Sequence, residues 1–285
     1  MEDETLRQRL QDIAESDYRV PEGESSVSLV GAMLPALGAT DPELRERLVY
    51  ALLHRWIVNG ALADGELRTL TLRLVGDEQL FHGIGERETD SVFLRSYSAL
   101  LLAPILLRQK DRGFLRASDI DKVATALVRY LDEERDLRGY VDTKEWAHGV
   151  AHASDAVGQL AGCLPSETAW GEPLARALGR QATTMALVWS HEEDERLAGA
   201  ALKLVTSDAL PITSVERWLL ELVPTRHWFL EGELPGSYYR YINTKHFLRC
   251  VYFQADEESA PSSGAVSRIA KRALDGLRLS LERRT

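Results

Sequence analysis

The stretch Arg138-Gly-Tyr-Val-Asp142-Thr-Lys144-Glu145-Trp146-Ala-His148-Gly-Val-Ala-His152-Ala-Ser-Asp155 gathers chemically capable residue types at meaningful spacings. On a helix, two imidazoles four positions apart share a side, and a carboxylate three positions further on joins them. His148, His152 and Asp155 therefore have the types and number to ligate zinc or another divalent metal. A metal held there would supply bound water as the nucleophile for a hydrolysis. Without a metal, the imidazoles suit acid–base work, because their ordinary pKa lies close to neutrality. The plainer reading makes them hydrogen-bonded polar groups lining a helix–helix groove, with Asp155 or Glu145 holding their second nitrogens. The zinc-protease pattern is missing, since its general-base Glu would follow the first His and Gly149 stands there. On the residues alone all three readings stay open.

A helix from about Thr143 to Cys163 is expected to position this set, with Asp142 as its N-cap and Glu145 at the capping-box spacing. Trp146, Val150, Ala153, Val157 and Leu160 form the apolar side, and alanines and glycines between them let neighbouring helices come close. Asp142, Lys144 and Trp146 join the histidines as candidate ligand contacts at the start of the helix. Ser96, Tyr97, His191 and Glu192, one helix pair away on either side, are candidate companions. His191 and Glu192 also read as a solvated helix start favoured by the helix dipole. His54 and His82 have no local partners and read as incidental polar groups. Further on, Tyr238, Tyr241, Lys245 and Tyr252 share a helical face, on which Tyr241 and Lys245 can offer a hydroxyl and an ammonium to an anion. The competing view is a packing helix whose tyrosines bury their rings and bond through their tips.

Gly139-Tyr140, Asp142, Lys144, Trp146-Ala147-His148, Ala151-His152 and Asp155 together resemble the hallmark of a bacterial family, domain-of-unknown-function family 2785. Asn243, Lys245, Phe247-Leu248-Arg249 and Tyr252-Phe253 are similar to that family's C-terminal signature, in the expected order. Glu145 departs from the pattern, which has Gly before the Trp. The resemblance implies an all-helical protein over most of the chain and carries no established activity with it.

Composition bounds the rest. A formal net charge of −10 on 285 residues disfavours a broad nucleic-acid-binding face. The acidic start Met-Glu-Asp-Glu has no secretory pattern, and the longest apolar run, Leu100 to Leu107, is short for a bilayer and interrupted by Pro104. Two cysteines, Cys163 and Cys250, give no support to a disulfide framework, so a cytoplasmic setting is expected. His82-Gly83-Ile84-Gly85 lacks the strand and third glycine of a nucleotide fingerprint and reads as an interhelical loop. No Ser-His-Asp order, nucleophile elbow or phosphate loop is present.

Nearly every segment carries the 3.6-residue period, and none has a convincing strand pattern. Helix starts near 40, 90, 143 and 191 recur at about 50-residue intervals. The expected fold is all-α: a curved α-α superhelix of stacked antiparallel helix pairs, HEAT- or armadillo-like, with an irregular helical bundle as the alternative. Residues 1–255 are expected to form one domain, 256–264 a flexible linker, and 265–285 a basic amphipathic helix (Arg268, Lys271, Arg272, Arg278, Arg283, Arg284). That helix is expected to dock on the acidic body and cap the stack rather than lie on a membrane or an RNA. The functional expectation is a His/Asp-lined groove that binds a small molecule or a divalent metal, with hydrolysis as its chemistry. The alternative is a non-catalytic protein–protein interaction module.

Overall fold

A computed structural model describes residues 2–166, 168–223 and 233–282. The aromatic stretch His227-Trp228-Phe229 lies outside the described residues. So do Arg283 and Arg284 and the side chains of Arg278, Leu281 and Glu282. Among the described residues the chain is all-α apart from one two-stranded hairpin. Its contacts divide it into two compact units, residues 1–156 and 157–285.

In the first unit, α1 (Glu2–Glu15) and α2 (Ser26–Met33) lead into a tight turn of 3-10 helix at Leu34–Gly38. Helix α3 opens with an eight-residue π-wound segment, Glu43–Tyr50, and continues as regular helix over Ala51–Asn59. Stretches of this winding are rare and tend to occur beside functional sites. Gly60, in the left-handed conformation, stops it, as expected for a helix C-terminus. Helix α4 (Asp64–Leu74) follows, then α5 (Ser91–Arg112) and α6 (Ala117–Glu133). Helix α5 packs on the 3-10 turn, α3 and α4, and so is the central element of this unit. It is long and apolar enough to cross a membrane by length and composition, although Pro104 lies within it. Two-thirds of its apolar window is buried inside the protein, the mark of a core helix.

The loop at His82–Glu86, anticipated from its glycines, is organised by α5. Arg95, fully buried, turns its guanidinium toward the carbonyls of His82, Gly83 and Glu86 and pairs with the equally buried Glu134, Nη2 to Oε1 at 3.0 Å. Glu134 in turn accepts the backbone N–H groups of Arg135 and Asp136, each at 2.8 Å. A buried ion pair persists only where hydrogen bonds satisfy its remaining atoms, and this one meets that condition.

The main correction to the sequence reading falls at residues 140–148. No helix starts at Asp142. Instead β1 (Tyr140–Val141) and β2 (Glu145–Trp146) pair antiparallel, Tyr140 opposite Trp146 and Val141 opposite Glu145, and α7 begins only at Gly149 and runs to Ala161. Asp142, expected as an N-cap, is exposed in the connecting turn. The backbone makes the reason visible. Lys144 N–H closes the turn on Val141 O at 3.1 Å, and Thr143, Glu145 and His148 hold φ values of 62°, 60° and 50°. These left-handed residues cannot propagate an α-helix.

The second unit holds α8 (Gly171–Ala182), α9 (Glu193–Thr206), α10 (Ile212–Glu221), α11 (Gly236–Glu257) and α12 (Ser263–Glu282). Helix α11 packs on α8, α9 and α12, while α10 packs on α8 and α12. The basic last helix therefore docks on its own chain, and Arg272 pairs with Glu216 at 2.7 Å. The expected linker shrinks to the residues between Glu257 and Ser263. Helix α8 ends at Ala182. Asn243 of α11 is fully buried and binds the segment that follows α8, donating to the carbonyls of Thr184 and Leu187 and accepting Trp189 N–H.

Candidate functional site

The hairpin is what delivers the histidines. Ala147 is buried against Val92 and Phe93 at the start of α5, with Val141 packed beside them. Polar tethers fix the other sides. Arg45, fully buried on the π-wound part of α3, donates to Lys144 O at 2.6 Å and to Ala39 O at 2.7 Å, its guanidinium lying 4.2 Å from the Phe93 ring centre. The Lys144 ammonium is committed to Asp90, at 2.7 and 2.9 Å, and Glu145 meets Arg47 at 3.4 Å. Lys144 thus braces the hairpin to the head of α5.

His148 is the residue before α7 rather than a member of it, and its carbonyl accepts His152 N–H at 2.9 Å. The four-residue spacing still works, because a residue at the cap already belongs to the first turn. The two imidazoles meet edge to face, centroids 5.8 Å apart. Trp146 stacks on His148 at 4.5 Å and 23°, and Tyr140 meets Trp146 at 5.1 Å. On the other side His152 meets Tyr97 at 5.4 Å, Tyr97 meets Tyr50 at 6.0 Å, and Tyr50 meets His54 at 5.7 Å. Seven rings from β1, β2, α7, α5 and α3 therefore form one continuous ladder with His148 and His152 near its middle. His54, read as incidental, is one end of it.

His152, only 8% exposed, is oriented by a short relay. Its Nδ1 lies 2.8 Å from the hydroxyl of fully buried Ser96, and that hydroxyl donates to the carbonyl of Ala147. A serine has a single proton to give, so with the hydroxyl proton on Ala147 O, the Ser96 oxygen accepts from His152 Nδ1–H. The neutral ring then keeps its lone pair on Nε2. The same relay disqualifies Ser96 as a nucleophile, since its oxygen already accepts the imidazole proton.

Asp155 sits one turn further along α7 and raises the pKa of Tyr50. That phenol is pushed up to about 12, first by burial and then by the charges of Asp155 and Glu46. Tyr97 donates to Glu46 Oε2 at 2.9 Å, and burial holds its phenol well above the ordinary value. Burial, followed by the Arg55 charge, lowers the His54 pKa. Near neutral pH the phenols are therefore protonated donors. Among the described residues no group of three His, Cys, Asp or Glu side chains is placed to hold a metal ion, so His148, His152 and Asp155 do not assemble there as a ligand set. The structure brings together Trp146, His148 and His152, adds the expected companions Ser96 and Tyr97, and leaves Asp142 in the turn.

Tyr241 and Lys245 belong to the second unit, where the ammonium lies 5.1 Å from the Tyr241 ring centre and Tyr238 is 6.5 Å from Tyr241. Burial, then Arg249, lowers the Lys245 pKa. Nearby Phe247 and Leu248 are wholly buried, so together with Asn243 much of that segment is structural. His191 and Glu192 stand at the start of α9, where His191 N–H donates to the buried carboxylate of Glu193 at 2.8 Å.

Sequence reasoning missed Arg45, Glu46 and Tyr50. Glu46, Tyr50 and His54 do recur every four residues, which is a helical stripe. The stronger Leu44, Leu48, Leu52, Trp56 stripe obscured it.

These features define an all-α protein whose first unit carries a hairpin-tethered histidine–aromatic cluster. A family model described as "Protein of unknown function (DUF2785)" matches residues 80–253, more than half of the chain, and the protein belongs to that family. No curated protein and no solved structure matches it. The match takes in the hairpin, both histidines, Ser96, Tyr97 and the Asn243 segment. Arg45, Glu46 and Tyr50 lie N-terminal to it.

Proposed function

We propose that the His148–His152 cluster is a small-molecule site in which His152 Nε2 takes up a proton, from a ligand hydroxyl or from a water attacking the ligand. The observation that carries this is the relay from His152 Nδ1–H through Ser96 to Ala147 O. It sets one tautomer, and its aligned dipoles stabilise the imidazolium once a proton has been taken. Trp146 stacked on His148 and the Tyr97 ring supply apolar walls of the kind that binding sites place around a few oriented polar groups. Asp155 and Glu46 place negative charge on the Tyr50 side of the cluster.

The test uses p-nitrophenyl acetate as a chromogenic ester, with wild type, His152→Gln and Ser96→Ala. General-base assistance contributes about 100-fold or more, so His152→Gln should lose that factor while Ser96→Ala loses part of it. Nitrogen-15 NMR of the imidazoles should show His152 protonated on Nδ1 in wild type and no longer fixed in Ser96→Ala. If wild type and His152→Gln cleave the ester equally, the proton-acceptor reading falls. The histidines would then serve as braces of a non-catalytic protein-binding module.

A further inference from the structure

A second site stands apart from the histidine cluster, in the part of the chain that precedes the family match. Beside helices α2 and α4 lies a half-open cavity of about 170 Å³ lined by Val27, Val30, Leu34, Leu62 and Leu70, with Glu66, Thr69 and Arg73 contributing its polar residues. A cavity of about 150 Å³ lined by aliphatic side chains accepts a benzene-sized molecule. The body that fits here therefore has roughly six to eight carbons.

The polar rim decides what such a molecule carries. Glu66 is occupied: Oε2 accepts Ala63 N–H at 2.6 Å and Oε1 accepts the Ser26 hydroxyl at 3.0 Å. The Thr69 hydroxyl donates to Gly65 O at 2.9 Å. Arg73 differs from both. Among the described residues its guanidinium, exposed at the mouth and beside Gly31, has no hydrogen-bond acceptor and no carboxylate partner, so its donors face the cavity entrance unspent. Guanidinium groups match carboxylates two bonds at a time. On a chain of net charge −10, this cation beside an apolar cavity is a local reversal of sign. We infer that the α2–α4 cavity binds a small monocarboxylate, its apolar body between Val30, Leu34 and Leu70 and its carboxylate on Arg73.

Octanoate and its neutral counterpart 1-octanol, titrated into the full chain by calorimetry, separate the contributions. Octanoate should bind more tightly than 1-octanol, and Arg73→Gln should weaken octanoate about tenfold while leaving 1-octanol unchanged. Gly31→Leu should abolish both, because a Cβ at this position meets only the Arg73 head, at 3.8 Å, and the longer side chain then fills the mouth. Thermal unfolding of each variant reports whether it is folded. His152→Gln should bind octanoate as wild type does, so the outcome is independent of the histidine site. Equal binding of octanoate to wild type and Arg73→Gln would overturn the inference, as would no octanoate binding by folded wild type at millimolar concentration.

Discussion

Glu145 occupies a position where its own side chain is a disadvantage. It begins β2 at φ 60°, and its carboxylate reaches Arg47 at 3.4 Å in a partly exposed pair. Holding a residue with a Cβ in the left-handed region costs about 1–2 kcal/mol. Replacing it with glycine removes that cost, gives back about 0.5–1 kcal/mol through the freer unfolded chain, and forfeits a few tenths of a kcal/mol from the exposed ion pair. The balance favours Glu145→Gly by about 0.5 kcal/mol, a rise in Tm of about 1–2 °C for a protein of this size. Glu145→Ala loses the ion pair and keeps the strain, so it should fall slightly below wild type. Urea denaturation of the three proteins, followed by Trp fluorescence and far-UV circular dichroism, gives the order Gly above wild type above Ala. If Gly proves no more stable than Ala, the left-handed backbone at this residue is not a source of strain, and the hairpin account is wrong.

Other perturbations test the surrounding framework. Gly149→Ala would place a Cβ 2.7 Å from the Tyr130 hydroxyl at the first turn of α7, and should cost about 1–3 kcal/mol of stability in urea. Arg95→Met strips the cation from buried Glu134 and the donor from three loop carbonyls, so a loss of about 3–5 kcal/mol is expected, partly recovered when Glu134→Gln is added. Tyr50 has a folded pKa of about 12, above the ordinary phenol value of about 10, so above pH 10 the unfolded chain releases this proton first. Its contribution is whole below pH 10 and is lost as the pH climbs toward 12. Tyr50→Phe should flatten the alkaline limb of stability against pH by that amount. At the acid end, hydroxyls of Ser91 and Thr89 hold Glu86 below its usual value, and the Ser214 hydroxyl with Arg176 does the same for Glu172. Stability from these groups is present above pH 4.5 and fades as the pH falls through their lowered values, which Glu86→Gln should make visible as a shallower acid limb.

Helical periodicity carried most of the architecture, because an apolar stripe at 3.6 spacing has few alternatives once a core must be covered. On α6, Ile120, Val123, Ala124, Leu127 and Leu131 recur at that spacing and are all buried. Ser96 and Tyr97 were placed beside the histidines by counting helices, and hydrogen bonding and ring packing bring them there. Residues 140–148 defeated the same logic for a local reason. Asp142 and Glu145 have capping-box spacing, and nothing in their side chains announces that Thr143, Glu145 and His148 adopt positive φ. What holds them there comes from far along the chain: Arg45 on the Lys144 carbonyl, Asp90 on its ammonium, and Val92 with Phe93 under Ala147. A pattern of neighbours in sequence does not contain contacts of that range.

The hairpin changes what the two histidines can do. On an uninterrupted helix, His148 and His152 would project in parallel, the arrangement suited to sharing a metal. Placing His148 at the cap in a left-handed conformation turns its ring edge-on to His152 and lays it flat beneath Trp146. The two imidazoles are thereby set differently, one stacked on Trp146 and the other tied through Ser96 to a single tautomer. Strain at backbone positions is retained only where surrounding contacts over-determine it, and three such positions within six residues are held by tethers to α3 and α5. Arg45 is one of these tethers. It is a fully buried cation between the Phe93 and Tyr97 rings, bonded to two carbonyls, one of them in the hairpin. Burying a charge is costly unless it is well bonded, so the fold gives up stability to fix the carbonyl of Lys144. That sacrifice is intelligible if what lies two residues on, Trp146 and then His148, must be held in one orientation.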